Sequence, residues 1–468
     1  MQLLEFLSAS DLEAIHQATM EILQDVGIHF PHQEALDIFK KHGYRVEDQL
    51  VFLEEKQILE VIKDIPSKFT IQARNPEHNV IIGDGSPVFV PGYGAPFLID
   101  PVLGKRDPTF EDYENLVRLA HVLPNQDMSG HLMVEPQDIP VETANLRMVD
   151  ANIRLSDKAF IGSTDGREGA QYTMDLIKIL FGDKASGHFT TGLINPLSPL
   201  RYSTDMLDAL LVYSRANQPV VIASLIMAGS TGPITLAGLL AQQNAELLSG
   251  IVLTQLVNPG LPVIYGTAST NIDMKTGALA IGSPELSLCL AAHGQLARKY
   301  GLSSRGGGAL TDSSTLDAQA GYESMFSLYT TINSGIDFVL HAAGILSSFL
   351  AFSYEKFVMD DELCGMLRYL WQGMKVTPET LAVEVIKNVG HDGHYLGEPQ
   401  TLERCRTEFW LPAIGDRSGM EAWWGGEQQD TSARSTMRWK ELLESYREPK
   451  LDPIINKQIQ DYLGKMLQ

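Results

Sequence analysis

LSSRGGGALTDSSTLDAQAGYESMFSLYTTINSGIDFVLHAAGIL, residues 302–346, decides the fold. It reads as a strand at Leu302–Ser304, a glycine-rich break, a polar tip, a helix at Leu316–Asn333, a turn at Ser334-Gly335 and a second strand at Asp337–His341. That is one βαβ unit, with its polar residues gathered where a strand ends. In a parallel barrel this end is where chemistry is done.

The same unit recurs upstream. From Ser86 onward, apolar β-rich runs alternate with helical segments roughly every 30–40 residues. Strands are predicted at Val88–Gly92, Met128–Met133, Ala159–Ser163, Thr190–Ile194, Val220–Ile226 and Pro262–Thr267, besides the two above. The helices between them are predicted at Phe110–Ala120, Val141–Arg154, Gly169–Phe181, Thr204–Arg215, Ile234–Val257 and Pro284–Lys299. Eight strands and seven intervening helices fit an α/β fold of the closed (β/α)8 TIM-barrel class over residues 86–345. An open doubly wound sheet is the competing class. Against it, no strand is followed by a GxGxxG that opens a helix, and Gly306-Gly307-Gly308 is not that motif.

Residues 1–85 read as an N-terminal α/β cap. Ser10 is a plausible N-cap for a helix from Asp11 to Val26 that Gly27 ends; a helix at Gln33–Lys41 and strands at Leu50–Leu53 and Lys68–Ala73 follow. Residues 346–468 read as a mostly helical C-terminal extension packed on the barrel, with one helix at Met374–Val389 and two charged amphipathic helices at the end. Trp410, Trp423 and Trp424 are expected to anchor it, since buried aromatics are usually packing residues.

Composition narrows the function. The 468 residues carry 36 Lys+Arg against 58 Asp+Glu, a formal charge of -22. Nucleic acid and anionic lipid both require a basic footprint, so neither is an expected partner. Such a charge serves solubility, or attracts a cationic substrate or a basic partner. Cys289, Cys364 and Cys405 lie far apart with no CxxC, which argues against a zinc-thiolate cluster or a disulfide framework. The opening MQLLEFLSASDLEAIH lacks a basic n-region and an apolar h-region, and runs such as PVVIASLIMAG are too short to span a bilayer; a cytoplasmic protein is expected.

If the barrel is right, the residues after each strand line one pocket. They include Pro91–Phe97, His131, Ser163–Gly166, Asn195–Pro199, Met227–Gly229, Gly266-Thr267, Thr311–Ser314 and His341. Glycine and proline dominate, which gives room and rigidity for a large ligand. Strong catalytic groups are scarce: no HxH or HExxH offers metal ligands, and no GxSxG elbow occurs. Asp165 and Asp312 form a candidate carboxylate pair for a hydrolase or lyase, although an Asp after a strand often caps the next helix. His341 ends an apolar strand and suits either a core histidine or a donor to a substrate carboxylate. Tyr93 and Phe97 offer aromatic faces for a cation, worth about 0.5–2 kcal/mol each; a turn aromatic packed under the cap is the competing role.

The chain resembles the trimethylamine methyltransferase family over nearly its whole length. The carriers are Pro91-Gly92-Tyr93-Gly94-Ala95-Pro96, INPLSPL at Ile194–Leu200, AGSTGPITLAGLL at Ala228–Leu240, TDSSTLDAQAGYES at Thr311–Ser324, AAGIL at Ala342–Leu346 and HYL at His394–Leu396. The motifs are specific jointly and weak singly. The resemblance implies a TIM barrel that moves a methyl group from a methylamine to the cobalt of a separate corrinoid protein. Founding members carry pyrrolysine in the barrel; here ordinary residues stand in the matching region, Thr311–Thr315. Members without pyrrolysine resemble quaternary-amine demethylases acting on glycine betaine, with proline betaine, carnitine and γ-butyrobetaine as other candidates.

The implied step is an SN2 displacement. Co(I) attacks one N-methyl carbon, and dimethylglycine departs as a neutral amine. No proton moves, which matches the shortage of acids and bases and leaves positioning as the protein's task. No bound metal of its own is expected. Tyr93 and Phe97 are assigned to the ammonium, His341 to the carboxylate, and Ser163, Asn195, Thr311 and Asp312 to further substrate contacts. Gly92, Gly94, Gly229 and Gly266 are assigned to the face that meets the corrinoid. A homo-oligomer is expected. The competing functions are the Asp165/Asp312 hydrolase or lyase and a non-catalytic betaine-binding or corrinoid-docking subunit.

Overall fold

The computed structural model describes residues 3–182 and 186–467. Residues 1 and 2 of the expected cap, and residue 468 of the expected extension, lie outside the described residues. Eight parallel strands follow one another along the chain: β1 (Val88–Phe89), β2 (Met128–Ser129), β3 (Ala159–Ile161), β4 (Thr190–Ile194), β5 (Val220–Ser224), β6 (Val263–Thr267), β7 (Ser303–Gly307) and β8 (Phe338–Leu340). Their order in the sheet is β1-β8-β7-β6-β5-β4-β3-β2. The β1–β2 seam is closed by Asp127, whose N–H donates to the Phe89 carbonyl at 2.8 Å while its carboxylate accepts from the Phe89 N–H at 2.7 Å. The result is a nearly closed TIM barrel.

Helices fill the connections: α1 (Phe110–Val122), α2 (Val141–Leu155), α3 (Gly166–Phe181), α4 (Thr204–Arg215), α5 (Leu236–Val257), α6 (Pro284–Tyr300), α7 (Ala318–Asn333) and α8 (Tyr354–Gln372). Local chemistry sets their starts. Thr109 and Asp112 form a capping box on α1, Ser283 caps α6 with Pro284 behind it, and Asp317 accepts from the Ala320 N–H on α7. Arg368 of α8 reaches the seam, with its guanidinium 2.6 Å from Asp127 Oδ2 and 4.8 Å from the Phe89 ring centre.

The barrel interior is packed. Val88, Met128, Ile161, Leu193, Val221, Ile264 and Leu340 share one apolar cluster with Phe69, Ile71, Val80 and Ile82. The latter four come from an antiparallel ribbon, Phe69–Ile71 paired with Val80–Ile82, which plugs the N-terminal end of the barrel. The rest of the N-terminal layer covers α5. That helix has no polar face, and Ile15, Met20, Leu23 and Phe39 share a core with Leu239, Leu240 and Leu247. The first helix, Ala9–Glu21, starts at Ser8 rather than Ser10, because the Ser8–Asp11 pair completes a capping box there.

Two departures matter downstream. β7 runs to Gly307, through the glycines read as a break, and so carries Arg305 inside the barrel wall. The helix expected at Met374–Val389 shrinks to Val383–Val389, and the apolar side chains before it, Met374, Val376 and Leu381, are exposed rather than packed. Trp424 is exposed, and the C-terminal helix Thr431–Ser445 is anchored instead by Trp439, stacked at 4.8 Å on Tyr354 with its indole N–H on Glu355.

A fully buried ion pair ties α8 to the barrel's upper end. Lys356 Nζ lies 2.5 Å from Asp360 Oδ2 and also donates to Ser324 Oγ at 2.8 Å and the Ala309 carbonyl at 3.3 Å. Asp360 accepts in turn from the Gly344 N–H at 2.9 Å. Lys356→Met strands the Asp360 carboxylate and is expected to destabilise the protein by about 3–5 kcal/mol in chemical unfolding, while Lys356→Met with Asp360→Leu recovers most of that loss.

Candidate active site

The ends of β7 and β8 hold a buried guanidinium against a buried imidazole. Arg305 is 2% exposed. Its Nη1 donates to the Thr267 carbonyl at the end of β6, and its Nη2 donates to His341 Nδ1 at 2.9 Å. Its buried Nε has no partner. No carboxylate pairs with Arg305 among the described residues, and burial pushes its pKa down to about 9.

His341 sits just beyond β8 with a left-handed φ of 62°. An arginine nitrogen only donates, so Nδ1 of His341 accepts and Nε2 carries the proton. Nε2 donates to the Tyr93 carbonyl at 3.2 Å. Burial, reinforced by the Arg305 charge, holds the imidazole well below its ordinary pKa, so it is neutral at pH 7. The Phe349 ring lies 4.7 Å from it, tilted by 52°.

Phe349 is held there by an unusual loop. Ser347, Ser348 and Phe349 all have positive φ, at 51°, 54° and 74°. Successive left-handed residues other than glycine cost about 1–2 kcal/mol each. The loop is tied down by the Ser347 N–H on the Ser313 carbonyl, the Ser348 N–H on the Thr311 carbonyl, and Ser348 Oγ on Asp312 Oδ1 at 2.7 Å. Asp312 also accepts from the Ile281 and Gly282 N–H groups. Its carboxylate joins three loops and is occupied by them.

The opposite side of the mouth is aromatic and acidic. Tyr93 rests its ring on the barrel core, with its hydroxyl against the Thr164 side chain and its pKa pushed up to about 12 by burial. Asp165 is exposed and accepts from Asn145 Nδ2 at 2.6 Å; it stands at the N-cap of α3 without capping it. Asn145 Oδ1 accepts from Ser163 Oγ at 3.1 Å and from His131 Nε2 at 3.0 Å. His131 is buried and its Nδ1 has no partner; burial lowers its pKa to about 4. Tyr93 joins the two sides, since its carbonyl serves His341 and its side chain meets Thr164.

The remaining predicted residues fall outside this cluster. Phe97 lies on the β-ribbon Phe97–Asp100, one face of its ring held by Lys105 Nζ at 3.4 Å, so that face is closed to a substrate cation. Asn195 Nδ2 donates to the Ala223 carbonyl at 2.6 Å, and Thr311 Oγ1 donates to Glu323 at 2.6 Å. Gly94 and Gly229 are exposed at the mouth. The structure corrects the reading of Gly92 and Gly266: both are buried, where a Cβ would come within 2.6 Å of Ile345 and 2.7 Å of Ala223, so they serve packing rather than a docking face. Arg305 and Phe349 escaped the sequence reading. A lone charge between serines and glycines in a strand, at SSRGG, was the available signal for Arg305; Phe349 carried none. Around the mouth, Leu197, Leu225, Ile234, Met274 and Leu350 are exposed on the loops after β4, β5, β6 and β8.

No group of three or more His, Cys, Asp or Glu among the described residues is placed to hold a metal ion. No helix among them is long and apolar enough to cross a membrane. A family model described as trimethylamine methyltransferase (MTTB) matches residues 1–467. The chain belongs to the trimethylamine methyltransferase family.

As a member of that family it is a methyltransferase. It is 46% identical to the glycine betaine methyltransferase of Desulfitobacterium hafniense (strain Y51), covering 98% of this chain and 96% of that one. It is 35% identical to the proline betaine:corrinoid methyltransferase of Eubacterium limosum, over 88% and 87%. With the trimethylamine methyltransferase MttB of Methanosarcina barkeri it shares 30% identity over 99% and 95%. The crystal structure of the Methanosarcina barkeri monomethylamine methyltransferase (MtmB) aligns with a TM-score of 0.56 at 13% identity, covering 98% of this chain and 88% of that one, a likeness of fold.

The hydrogen bonds of His341 predict one tautomer. Ring 15N chemical shifts should report a neutral imidazole protonated at Nε2 from pH 8 down to pH 6, because burial and Arg305 both oppose protonation. An imidazolium signal growing in over that range would contradict the assignment.

Proposed function

We propose that this methyltransferase takes a methyl group from a zwitterionic quaternary amine, glycine betaine first among them, and passes it to Co(I) of a corrinoid carried by a separate protein. The observation that carries this reading is the unpartnered, buried Arg305 Nε beside a neutral His341. A buried guanidinium without a counter-charge is costly, and a substrate carboxylate relieves that cost by accepting from Nε and an Nη. Trimethylamine has no group to do so. The names of two relatives, the glycine betaine methyltransferase and the proline betaine:corrinoid methyltransferase, support betaines as the substrate class.

The carboxylate end is then fixed on the β7–β8 side. The ammonium end falls to the rings of Tyr93 and Phe349, with Asp165 adding negative charge at the mouth. This division keeps the aromatic role expected of Tyr93 and gives Phe349 the role expected of Phe97. His341 is a positioning residue: its Nδ1 orients the guanidinium, and its neutral ring leaves the net positive charge beside the carboxylate to Arg305.

The reacting bond is N–CH3. Its electron pair stays on nitrogen, so the departing tertiary amine is neutral and the residues around it need not supply a proton. The corrinoid cobalt contributes the pair that forms the new bond to carbon. What the chain contributes is orientation, which can lower a barrier by several kcal/mol without covalent participation. The exposed apolar rim, Leu197, Ile234, Met274 and Leu350 among it, suits a partner protein that brings its corrinoid over the mouth.

Incubation with cobalamin reduced to Co(I) should yield methylcobalamin with glycine betaine and none with trimethylamine. Transfer from trimethylamine alone would overturn the substrate reading, and betaine binding without any transfer would favour a binding subunit. Arg305→Gln removes a charge-assisted bond worth about 1.5–3 kcal/mol, so KM should rise roughly ten- to a hundredfold, more than kcat falls. A guanidinium keeps its proton across the working range even when buried, and His341 beside it stays neutral because burial and the Arg305 charge both hold its pKa well below the ordinary value. kcat/KM for betaine should therefore stay level from about pH 7 to pH 9, and a limb in that range would contradict the roles given to Arg305 and His341.

A further inference from the structure

Two acceptors steer Arg305, and they are unlike. One is His341, just beyond β8. The other is the Thr267 carbonyl at the end of β6, and Thr267 is itself held from behind. Its hydroxyl donates to Gln243 Oε1 of α5 at 2.5 Å. Gln243 Nε2 meets His293 Nδ1 of α6 at 3.0 Å, and His293 Nε2 meets the Tyr265 carbonyl, again at 3.0 Å. The Tyr265 ring stacks on the imidazole at 4.5 Å, the two planes within 8° of parallel.

Each proton in this chain of bonds has one place. A carbonyl only accepts, so His293 carries its proton on Nε2 and accepts at Nδ1 from the Gln243 amide. Gln243 Oε1 is then free to accept from Thr267 Oγ1, which accepts in turn from the Ser269 N–H at 3.0 Å. Burial pushes the His293 pKa down to about 3, so its ring gains no second proton near neutrality. Thr267, Gln243 and His293 are all fully buried. On the same two helices Leu240, Leu247, Cys289 and Leu296 join one apolar core. Apolar side chains at 243 and 293 would serve packing without the cost of desolvating polar groups, whereas a fully paired polar network fixes a geometry.

The geometry it fixes lies where the β-ladder runs out. The 267–268 peptide keeps one ladder bond, from the Ala268 N–H to the Ser224 carbonyl at 2.8 Å. Toward β7 the pairing ends a residue earlier, at Gly266 and Arg305. There the Thr267 carbonyl goes to the Arg305 side chain instead. We propose that Gln243, braced by His293, is a positioning residue for carboxylate recognition: it holds the Thr267 hydroxyl, keeps the Thr267 carbonyl turned toward Arg305 Nη1, and so leaves the Nε edge of the guanidinium to the ligand. This role rests on the reading that Arg305 receives a substrate carboxylate.

Isothermal titration of the full chain with glycine betaine tests it. Thr267→Val and Gln243→Leu should each raise Kd about tenfold, the weight of one lost hydrogen bond. Thr267→Ser keeps the hydroxyl and should stay within about threefold of wild type. On an Arg305→Gln background Thr267→Val should add nothing, because no guanidinium is left to aim; a packing defect would weaken binding by the same factor on either background. Circular dichroism selects the variants that fold, and Thr267→Val alone suffices if Gln243→Leu does not. An unchanged Kd in either folded variant overturns the positioning role, as does a Thr267→Ser loss equal to that of Thr267→Val or a tenfold loss that persists beside Arg305→Gln. If Arg305→Gln itself leaves Kd unaltered, the carboxylate reading fails and takes this role with it. A large effect of Arg305→Gln with none from Thr267→Val defeats the role alone.

Discussion

A guanidinium held inside a parallel barrel with no carboxylate beside it is the constraint around which the upper end of this protein is arranged. Among the described residues the fold buries three long cations, and it treats them differently. Lys158 gives all its donors to the carbonyls of Ala120, Leu123 and Gln126, at 2.6–3.0 Å. Lys356 is matched by Asp360 and a serine hydroxyl. Those two are complete within the chain, as buried structural charges must be. Arg305 has one carbonyl, one neutral imidazole and an unused Nε. Only the third is left waiting for a partner from outside.

Its neighbours follow from that. His341 must be an acceptor toward Arg305, which forces the proton to Nε2, which in turn needs the Tyr93 carbonyl. That bond joins the β1 loop to β8 across the mouth. Phe349 reaches the imidazole only because three residues accept left-handed backbone, and they accept it because Asp312 and the carbonyls of Thr311 and Ser313 hold them. Asp312 is thus a framework residue. A hydrolytic role for it would require giving up the loops it joins.

The barrel was legible because each buried strand is a short apolar run and each helix an amphipathic one, patterns that survive without knowledge of neighbours. The helix Thr204–Arg215 and the strand Thr190–Ile194 match the expected ends residue for residue. What failed was context. Glycine reads as a break, yet in β7 it continues the strand, because a Cβ on Gly306 would stand 2.8 Å from Leu290 and close packing against α6 admits only hydrogen. Ending that strand at Ser304 hid Arg305 in a supposed loop. The periodic stretch after Met374 failed for the opposite reason: its apolar side chains stand exposed, so only Val383–Val389 is helical. The start of the N-terminal helix is off by two residues, because both Ser8 and Ser10 can cap and only the reach of Asp11 decides.

On the proposed reading, discrimination between a betaine and a simple amine comes from the protein's unmet bond rather than from ligand size. A pocket that merely excludes or admits methyl groups separates substrates by about 1–3 kcal/mol, whereas one whose buried polar group is left unpaired by the wrong ligand separates them far more. Glycine betaine carries its own counter-charge into the barrel, so the pair of ligand and Arg305 is neutral where each alone is not. A cation without a carboxylate brings a second positive charge toward the first. The repulsion then adds to the missing hydrogen bond, and both act before any carbon–nitrogen bond begins to stretch.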